Sequence, residues 1–183
     1  MMNKKLLSIF IFIFCGNAFA IGRLDFSYGY FSIKSKADNK ETSVSNPSAL
    51  NVGYLYPVME KVHLNFGYSV LLADFSGSDK GYGLNLGFNF YPFSSGKNES
   101  VKNDRLEVER FEALRPYVGV AFYQRDFQSI KNSYAGFGIS PGVEKYINKE
   151  MSLKGELRYI SLSGSNSSTA VETNLFIGVI FNI

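Results

Sequence analysis

Few side chains in this sequence belong to types that carry out nucleophilic or metal-based chemistry. His63 is the only His and Cys15 the only Cys among the 183 residues. Nucleophilic catalysis needs a base beside the nucleophile, and a transition-metal site needs several His, Cys or carboxylate ligands. The stretch Arg158 to Ser161 offers a hydroxyl without a His beside it. We therefore predict no catalytic residues, no metal site and no cofactor.

The charged side chains are more informative, because several of them alternate with bulky residues and, within each run, lie on the same side of the alternation. Such side chains can form ion pairs with one another. They do so only if the secondary-structure elements that carry them bring the charges together. These residues are Arg23, Asp25, Arg125, Glu144, Lys154, Glu156, Arg158 and Glu172.

Composition limits the class of protein before any element is assigned. The net charge is only +3, and charged residues make up 19% of the chain, which gives no electrostatic footprint for nucleic acid. The length suits one domain. A single Cys excludes an internal disulfide.

The N-terminal segment has the form of an export signal. Met1 to Lys5 is positively charged, Leu6 to Cys15 is apolar, and Asn17 to Ala20 ends in a small-residue cleavage site. The apolar run is too short for a membrane anchor. We predict a cleaved signal peptide over residues 1–20 and a single domain over residues 21–183.

The rest of the chain alternates with a period of two. From Leu24 to Tyr30, every even position is apolar or aromatic, whereas the odd positions carry Asp25, Ser27 and Gly29. Strict alternation is typical of strands that present two different faces. Seven more runs follow the pattern, near residues 50–58, 62–70, 82–90, 117–123, 135–143, 153–159 and 175–183.

Eight such strands predict an all-β protein, an eight-stranded antiparallel up-and-down transmembrane β-barrel. Each run can supply the roughly 9–11 tilted residues that cross a membrane. Closure is required because lipid cannot satisfy an open sheet edge.

The two faces differ in bulk, which predicts their directions. One is rich in Gly, Asn and Ser and suits the narrow interior of eight strands, while the Phe, Tyr, Leu and Val of the other suit lipid. A water-soluble barrel with the apolar face inward is the alternative. If Arg125 pairs with Tyr134, then Tyr123 falls opposite Gly136 and Tyr117 opposite Gly142, large against small.

The charged residues named above lie on the side of each strand that is predicted to face inward, so they are expected to meet in the lumen. Buried charges must pair or be hydrated, so an ion-pair network is expected there, with Glu144 across from Lys154. Two interpretations stay open. The network is a structural plug, or it is a gated path for small ions in which pairs such as Glu144–Lys154 exchange partners.

Four polar connections fall on the outer side, and the longest is Lys34 to Ser48. It is the preferred external contact, through Lys34, Lys36, Lys40 and Glu41. On the inner side, Met59 to Lys61 and Asn148 to Glu150 form tight turns.

One inner connection, Phe93 to Leu114, is long and charged. Ser94 to Asn103 is interpreted as a flexible loop, and Leu106 to Phe111 as a short helix or an extension of the fifth barrel strand. The segment is either a tolerated insertion or a docking element for a periplasmic partner.

Three stretches resemble the back half of small OmpA-like and opacity-type outer-membrane barrels. They are Arg115 to Val120, Tyr134 to Gly138 with Gly142 to Tyr146, and Leu153 to Tyr159. The resemblance implies an eight-stranded barrel without enzymatic activity, often a surface structural protein or adhesin.

These observations together predict a non-enzymatic protein of the bacterial outer membrane that stabilises the envelope or presents its loops to outside partners. The alternative function is a narrow pore for small ions or apolar solutes. Expected partners are outer-membrane lipid and lipopolysaccharide, the barrel-insertion machinery, and a host or extracellular ligand. The barrel is expected to be a monomer that binds no nucleic acid.

Overall fold

The computed structural model describes most of the chain beyond the N-terminal segment. The described residues are 22–37, 40–72, 80–93, 99–103, 106–110, 114–127, 132–164 and 168–183. The signal peptide predicted for residues 1–20 lies outside them.

Eight of the ten strands form one closed antiparallel barrel. Neighbours along the chain pair with each other, β4 pairs with β7, and β1 pairs with β10 to close the sheet, which confirms the predicted fold. The described residues form no helix long and apolar enough to span a membrane. The strands are β1 (Arg23–Ala37), β2 (Lys40–Met59), β3 (Val62–Leu71), β4 (Gly81–Phe90), β5 (Glu99–Asn103), β6 (Leu106–Arg110), β7 (Arg115–Phe127), β8 (Asn132–Tyr146), β9 (Met151–Gly164) and β10 (Thr169–Asn182).

The predicted face directions are confirmed, because burial alternates along the strands. In β7, every odd position from Arg115 to Phe127 is buried and every even position is exposed. From Val118 to Phe122 the exposed positions are bulky and apolar: Val120 is 53% exposed, and Phe88 on β4 is 54% exposed. A surface with this composition suits acyl chains rather than water.

Large inward side chains lie opposite glycines, as the register argument predicts. Tyr117 pairs with Gly142 and Tyr123 with Gly136 across the β7–β8 ladder. A Cβ atom added to Gly142 would lie 2.3 Å from Cζ of Tyr117, so the ring occupies the space that glycine leaves. An outward glycine differs, since a Cβ on Gly155 would meet nothing closer than 3.9 Å.

The two ends of the barrel differ in their connections. The end that carries residues 22 and 183 is called the lower end. There β2 and β3 are joined through the turn at Glu60 and Lys61, and β8 and β9 through bends at residues 147–150, where tight turns are predicted. The opposite, upper end carries the other four barrel hairpins.

The first upper connection is not the loop that the sequence predicts between Lys34 and Ser48. β1 and β2 continue through this segment as a paired hairpin, with Lys34 opposite Ser43 and Lys36 opposite Glu41. A register shift between Gly29 and Phe31 interrupts the β1–β2 ladder, while β1 stays paired with β10 as far as Lys36, opposite Thr169. Polar Ser, Thr and Lys residues pair well enough in an exposed hairpin that polarity alone does not mark a loop.

The long lower connection also differs from its prediction. β5 and β6 pair as a separate two-stranded sheet, with Val101 opposite Val108 and Glu99 opposite Arg110. Glu99–Asn103 is therefore a strand rather than part of a flexible loop, and Leu106–Arg110 is neither a helix nor an extension of β7. A five-residue strand is too short for the period-two pattern to stand out.

Candidate functional site

The barrel interior is the candidate site. It is formed by the side chains at alternate positions of each strand that point into the lumen. All eight charged residues predicted to face the lumen are buried there. They fall into a lower group, a middle group and an upper pair.

The lower group is organised around Glu144, which is the third residue from the end of β8. Its Oε2 lies 2.6 Å from Nη2 of Arg23, and its Oε1 accepts a hydrogen bond of 2.5 Å from the Tyr91 hydroxyl. The Arg23 Nη2 also donates to Oγ of Ser152 at 3.1 Å. Both oxygens of this carboxylate are thus engaged, as a fully buried charge requires.

Arg115 is a member of the lower group that the sequence analysis missed. Its Nη1 lies 4.0 Å from Oε2 of Glu144 and donates to the Tyr146 hydroxyl at 2.5 Å. The guanidinium stacks on the ring of Tyr91, with Cζ 4.6 Å from the ring centroid. The alternation in the sequence could have predicted both residues. Arg115 and Tyr91 each lie two positions from an inward-facing residue, Tyr117 and Asn89 respectively.

The middle group is a chain of alternating charges along β9. Lys154 pairs with Asp25 and also lies 3.4 Å from Oε2 of Glu156. Arg158 pairs with Glu156 and donates to Oδ1 of Asn51 at 3.1 Å. The Tyr117 hydroxyl donates to Glu156 at 2.5 Å.

The predicted Glu144–Lys154 pair is therefore correct in register but not in contact. The two residues do face each other across the β8–β9 ladder. Their ion pairs nevertheless go to Arg23 and to Asp25 and Glu156.

Arg125 and Glu172 form the upper pair, in which neither side chain has exposed surface. The two hydrogen bonds are bidentate, at 2.9 Å from Nε and 3.0 Å from Nη2. Asn174 donates to Oε1 of Glu172 at 2.7 Å. Bidentate geometry of this kind is the strongest form of a charged pair in proteins.

Apolar side chains surround this pair and cover it toward the upper end, which the sequence analysis did not anticipate. They pack together as one buried cluster. The alternation could have predicted part of this cluster, because Phe31 and Ile33 lie on the same side of the pattern in β1 as the inward-facing Ser27 and Gly29. The cluster, called the upper seal, is Phe31, Ile33, Ala49, Leu71, Ala121, Tyr123, Phe127, Tyr134, Ile160, Leu162, Ala170 and Phe176.

His63 faces the lumen near the lower end. Its side chain is buried, and its ring lies 4.6 Å from the ring of Tyr91, tilted by 46°. Within the described residues, no group of three or more His, Cys, Asp or Glu side chains is placed to hold a metal ion. The contacts of His63 are those of a side chain packed against its neighbours inside the lumen.

A cavity of about 430 Å³ opens at the lower end. Arg115, Tyr146 and His63 line it on the lumen side, and Glu60 lines it at the rim. Three further lining residues come from the end of β2: Pro57, Val58 and Met59.

The predicted external contact residues lie on the upper β1–β2 hairpin. Lys34, Lys36 and Glu41 are exposed, and Lys36 faces Glu41 in register. Lys40 begins β2, and its side chain is outside the described part of the structure.

Comparison with known proteins gives the fold and nothing narrower. No family model matches the sequence, and no curated protein matches it. Among solved structures, the chain is similar to Neisserial surface protein A (NspA), with a TM-score of 0.58 at 12% identity, covering 88% of this chain and 97% of that one.

It is also similar to the N-terminal β-barrel domain of Pseudomonas aeruginosa OprF, with a TM-score of 0.53 at 13% identity, covering 88% of this chain and 97% of that one. Both are small outer-membrane β-barrels, so this fold is one that outer-membrane proteins share.

The buried upper pair gives a direct test of the lumen electrostatics. Glu172→Gln keeps the size of the side chain but leaves the Arg125 guanidinium without a countercharge, so we expect the free energy of unfolding to fall by about 3–5 kcal/mol. Urea unfolding in lipid vesicles, followed by gel mobility with and without heating, measures the change. The matched control is Asp126→Asn at the neighbouring exposed position, with a change within about 0.5 kcal/mol. Equal stabilities of the two variants would contradict the assignment.

Proposed function

We propose that this protein is a monomeric surface barrel of the bacterial outer membrane, which serves as a closed scaffold for its upper hairpins rather than as a pore or an enzyme. The observation that carries the proposal is the combination of a lipid-compatible outer wall with a lumen filled by paired charges and the upper seal. A wall of this kind favours the membrane, and a filled lumen leaves the connections as the parts able to meet other molecules.

The outer wall supports a membrane location. Phe26 is 46% exposed, Leu175 56% and Ile177 68%, which would be costly in water over so wide a surface. Exposed Tyr28 and Tyr30 on β1 lie at the upper side of this apolar wall, where aromatic residues favour a membrane interface. Export would depend on cleavage after Ala20, and assembly on the barrel-insertion machinery.

The closed lumen supports a role other than transport. Arg125 and Glu172 have no exposed side-chain surface, and the upper seal covers them. An ion that crossed the barrel would have to displace both the apolar cluster and the bidentate pair.

The β1–β2 hairpin is the element we propose to meet an external partner. Its paired strands hold Lys34, Lys36 and Glu41 outward in a fixed order. A paired ribbon loses less conformational entropy on binding than an unpaired loop would.

Conductance in planar bilayers tests the closed lumen. We expect no steady single-channel current from the reconstituted protein, because the upper seal and the paired charges occupy the path. A reproducible unitary conductance would contradict the proposal and favour the narrow pore for small ions or apolar solutes.

Epitope insertion tests the direction in which the hairpin points. A peptide tag between residues 38 and 39 should be bound by antibody on intact cells, since the proposal places this hairpin outside. The matched control is the same tag between Glu60 and Lys61, which should become accessible only after the outer membrane is permeabilised. The reverse pattern would mean that the lower end faces outward.

A further inference from the structure

The outward face of β1 changes from aromatic to basic within a few residues. Tyr28 and Tyr30 point outward from the wall, with 49% and 43% of their surface exposed. The next outward positions of the same strand are Ser32, Lys34 and Lys36, and both lysines are exposed. Such a change is typical of the level at which the acyl region of a membrane meets its headgroups.

The lysines are carried by paired sheet and not by the tip of a loop. Lys34 lies in register between Val171 of β10 and Ser43 of β2. The preceding residue, Ile33, is buried within the upper seal. Because Ile33 points into the barrel, Lys34 projects sideways from the wall, toward whatever surrounds the barrel at this height.

The height of Lys34 above the aromatic residues suits the headgroup layer. A strand rises roughly 3.4 Å per residue, so the path from Tyr30 to Lys34 measures about 14 Å along β1. With a tilt of about 40°, as in transmembrane barrels, this is about 10 Å along the membrane normal. Headgroups add about 5–8 Å to each side of the hydrocarbon core, and a lysine side chain can bend back toward that layer.

Hydroxyl groups lie beside the lysines on the same outward face. Oγ of Ser45 donates a hydrogen bond of 3.0 Å to Oγ of Ser32, and Thr173 lies opposite Ser32 on β10. Thr169 lies opposite Lys36. A hydroxyl that accepts one hydrogen bond still has its own proton to donate. An anionic oxygen near the lysines would therefore meet ammonium and hydroxyl donors together.

We propose that this outward face of β1, formed by Lys34, Lys36 and the neighbouring hydroxyls, binds a phosphate group of lipid A, the phosphorylated sugar lipid that anchors lipopolysaccharide in the outer leaflet. Two lysines on one face of a strand lie about 7 Å apart, so both can approach one phosphate. A phosphomonoester carries up to two negative charges, which complement the two ammonium groups. The hydroxyls suit the adjoining sugar.

The inference rests on the proposed membrane location and on the proposed outward direction of the upper end. It names the partner of two lysines that the proposed function assigns only to an external contact. A site that projects sideways at this height meets lipid headgroups before it meets a soluble molecule.

Glu41 is an anion beside the proposed site. It is exposed and lies opposite Lys36 across the β1–β2 ladder. A carboxylate at this position attracts the Lys36 ammonium and repels a phosphate. Glu41→Gln should therefore strengthen binding, a change that damage to the barrel cannot produce.

Binding is measured by calorimetry on protein refolded into a nonionic maltoside detergent, which brings neither phosphate nor bound lipopolysaccharide. The titrants are lipid A, the same lipid with its phosphates removed, and phosphatidylglycerol. We expect saturable binding of lipid A that weakens roughly 25-fold in the double variant Lys34→Gln, Lys36→Gln, about fivefold for each lysine near a charged lipid. Lys34→Arg keeps the charge and should bind within about twofold of the parent.

The matched control is Lys80→Gln. Lys80 is an exposed cation just before β4, and β2 and β3 separate that strand from β1 in the barrel. Its removal should leave the affinity for lipid A unchanged. Heat-dependent gel mobility shows that each variant is folded.

The proposal is overturned if lipid A does not bind saturably, or if it binds no better than its dephosphorylated form. It is also overturned if Lys80→Gln weakens binding as much as the double variant does, since that would indicate general attraction to basic residues. Equally tight binding of phosphatidylglycerol would overturn the assignment to lipid A. These outcomes leave the closed lumen and the direction of the hairpin untouched, because conductance and antibody access measure those separately.

Discussion

Closure of the sheet is the constraint on which the rest of this structure depends. The β1–β10 ladder joins the first and last strands from Arg23–Asn182 to Lys36–Thr169, so the eight-stranded wall has no free edge. In a bilayer each unpaired backbone group would cost several kcal/mol, on the order of a lost buried hydrogen bond. Closing only eight strands leaves a lumen just wide enough for side chains. That width determines which residues point inward and which must point toward lipid.

The narrow lumen explains why large inward side chains are set against small ones and why inward charges are paired. Where the rings of Tyr117 and Tyr123 enter from β7, the residues opposite them on β8 are glycines. Where the Arg125 guanidinium enters, the Glu172 carboxylate lies within hydrogen-bond reach. The upper seal then separates these pairs from the upper opening. A barrel of this kind gains rigidity from its interior.

The sequence predicts the barrel wall better than its interior. Alternation predicts the strands and their directions, and the large-against-small rule predicts the β7–β8 register, because both depend on adjacent residues. The ion pairs are harder to predict. Arg23 on β1 meets Glu144 on β8, and Arg125 on β7 meets Glu172 on β10, across the lumen rather than along one ladder. Such partners are set by strand tilt and shear, which alternation does not encode. The β1–β2 extension was missed because its polar residues resemble those of a loop, and the β5–β6 hairpin was missed because each of its strands has only five residues.

The direction of the apolar face is the central claim, and single tryptophans test it most directly because the chain contains none. Phe122 and Tyr123 are neighbours on β7, the first 43% exposed and the second 1% exposed. In vesicles of brominated lipid, Phe122→Trp should emit in the blue and be strongly quenched, whereas Tyr123→Trp should be quenched much less. Strong quenching of Tyr123→Trp together with weak quenching of Phe122→Trp would contradict the account, because the apolar face would then point inward.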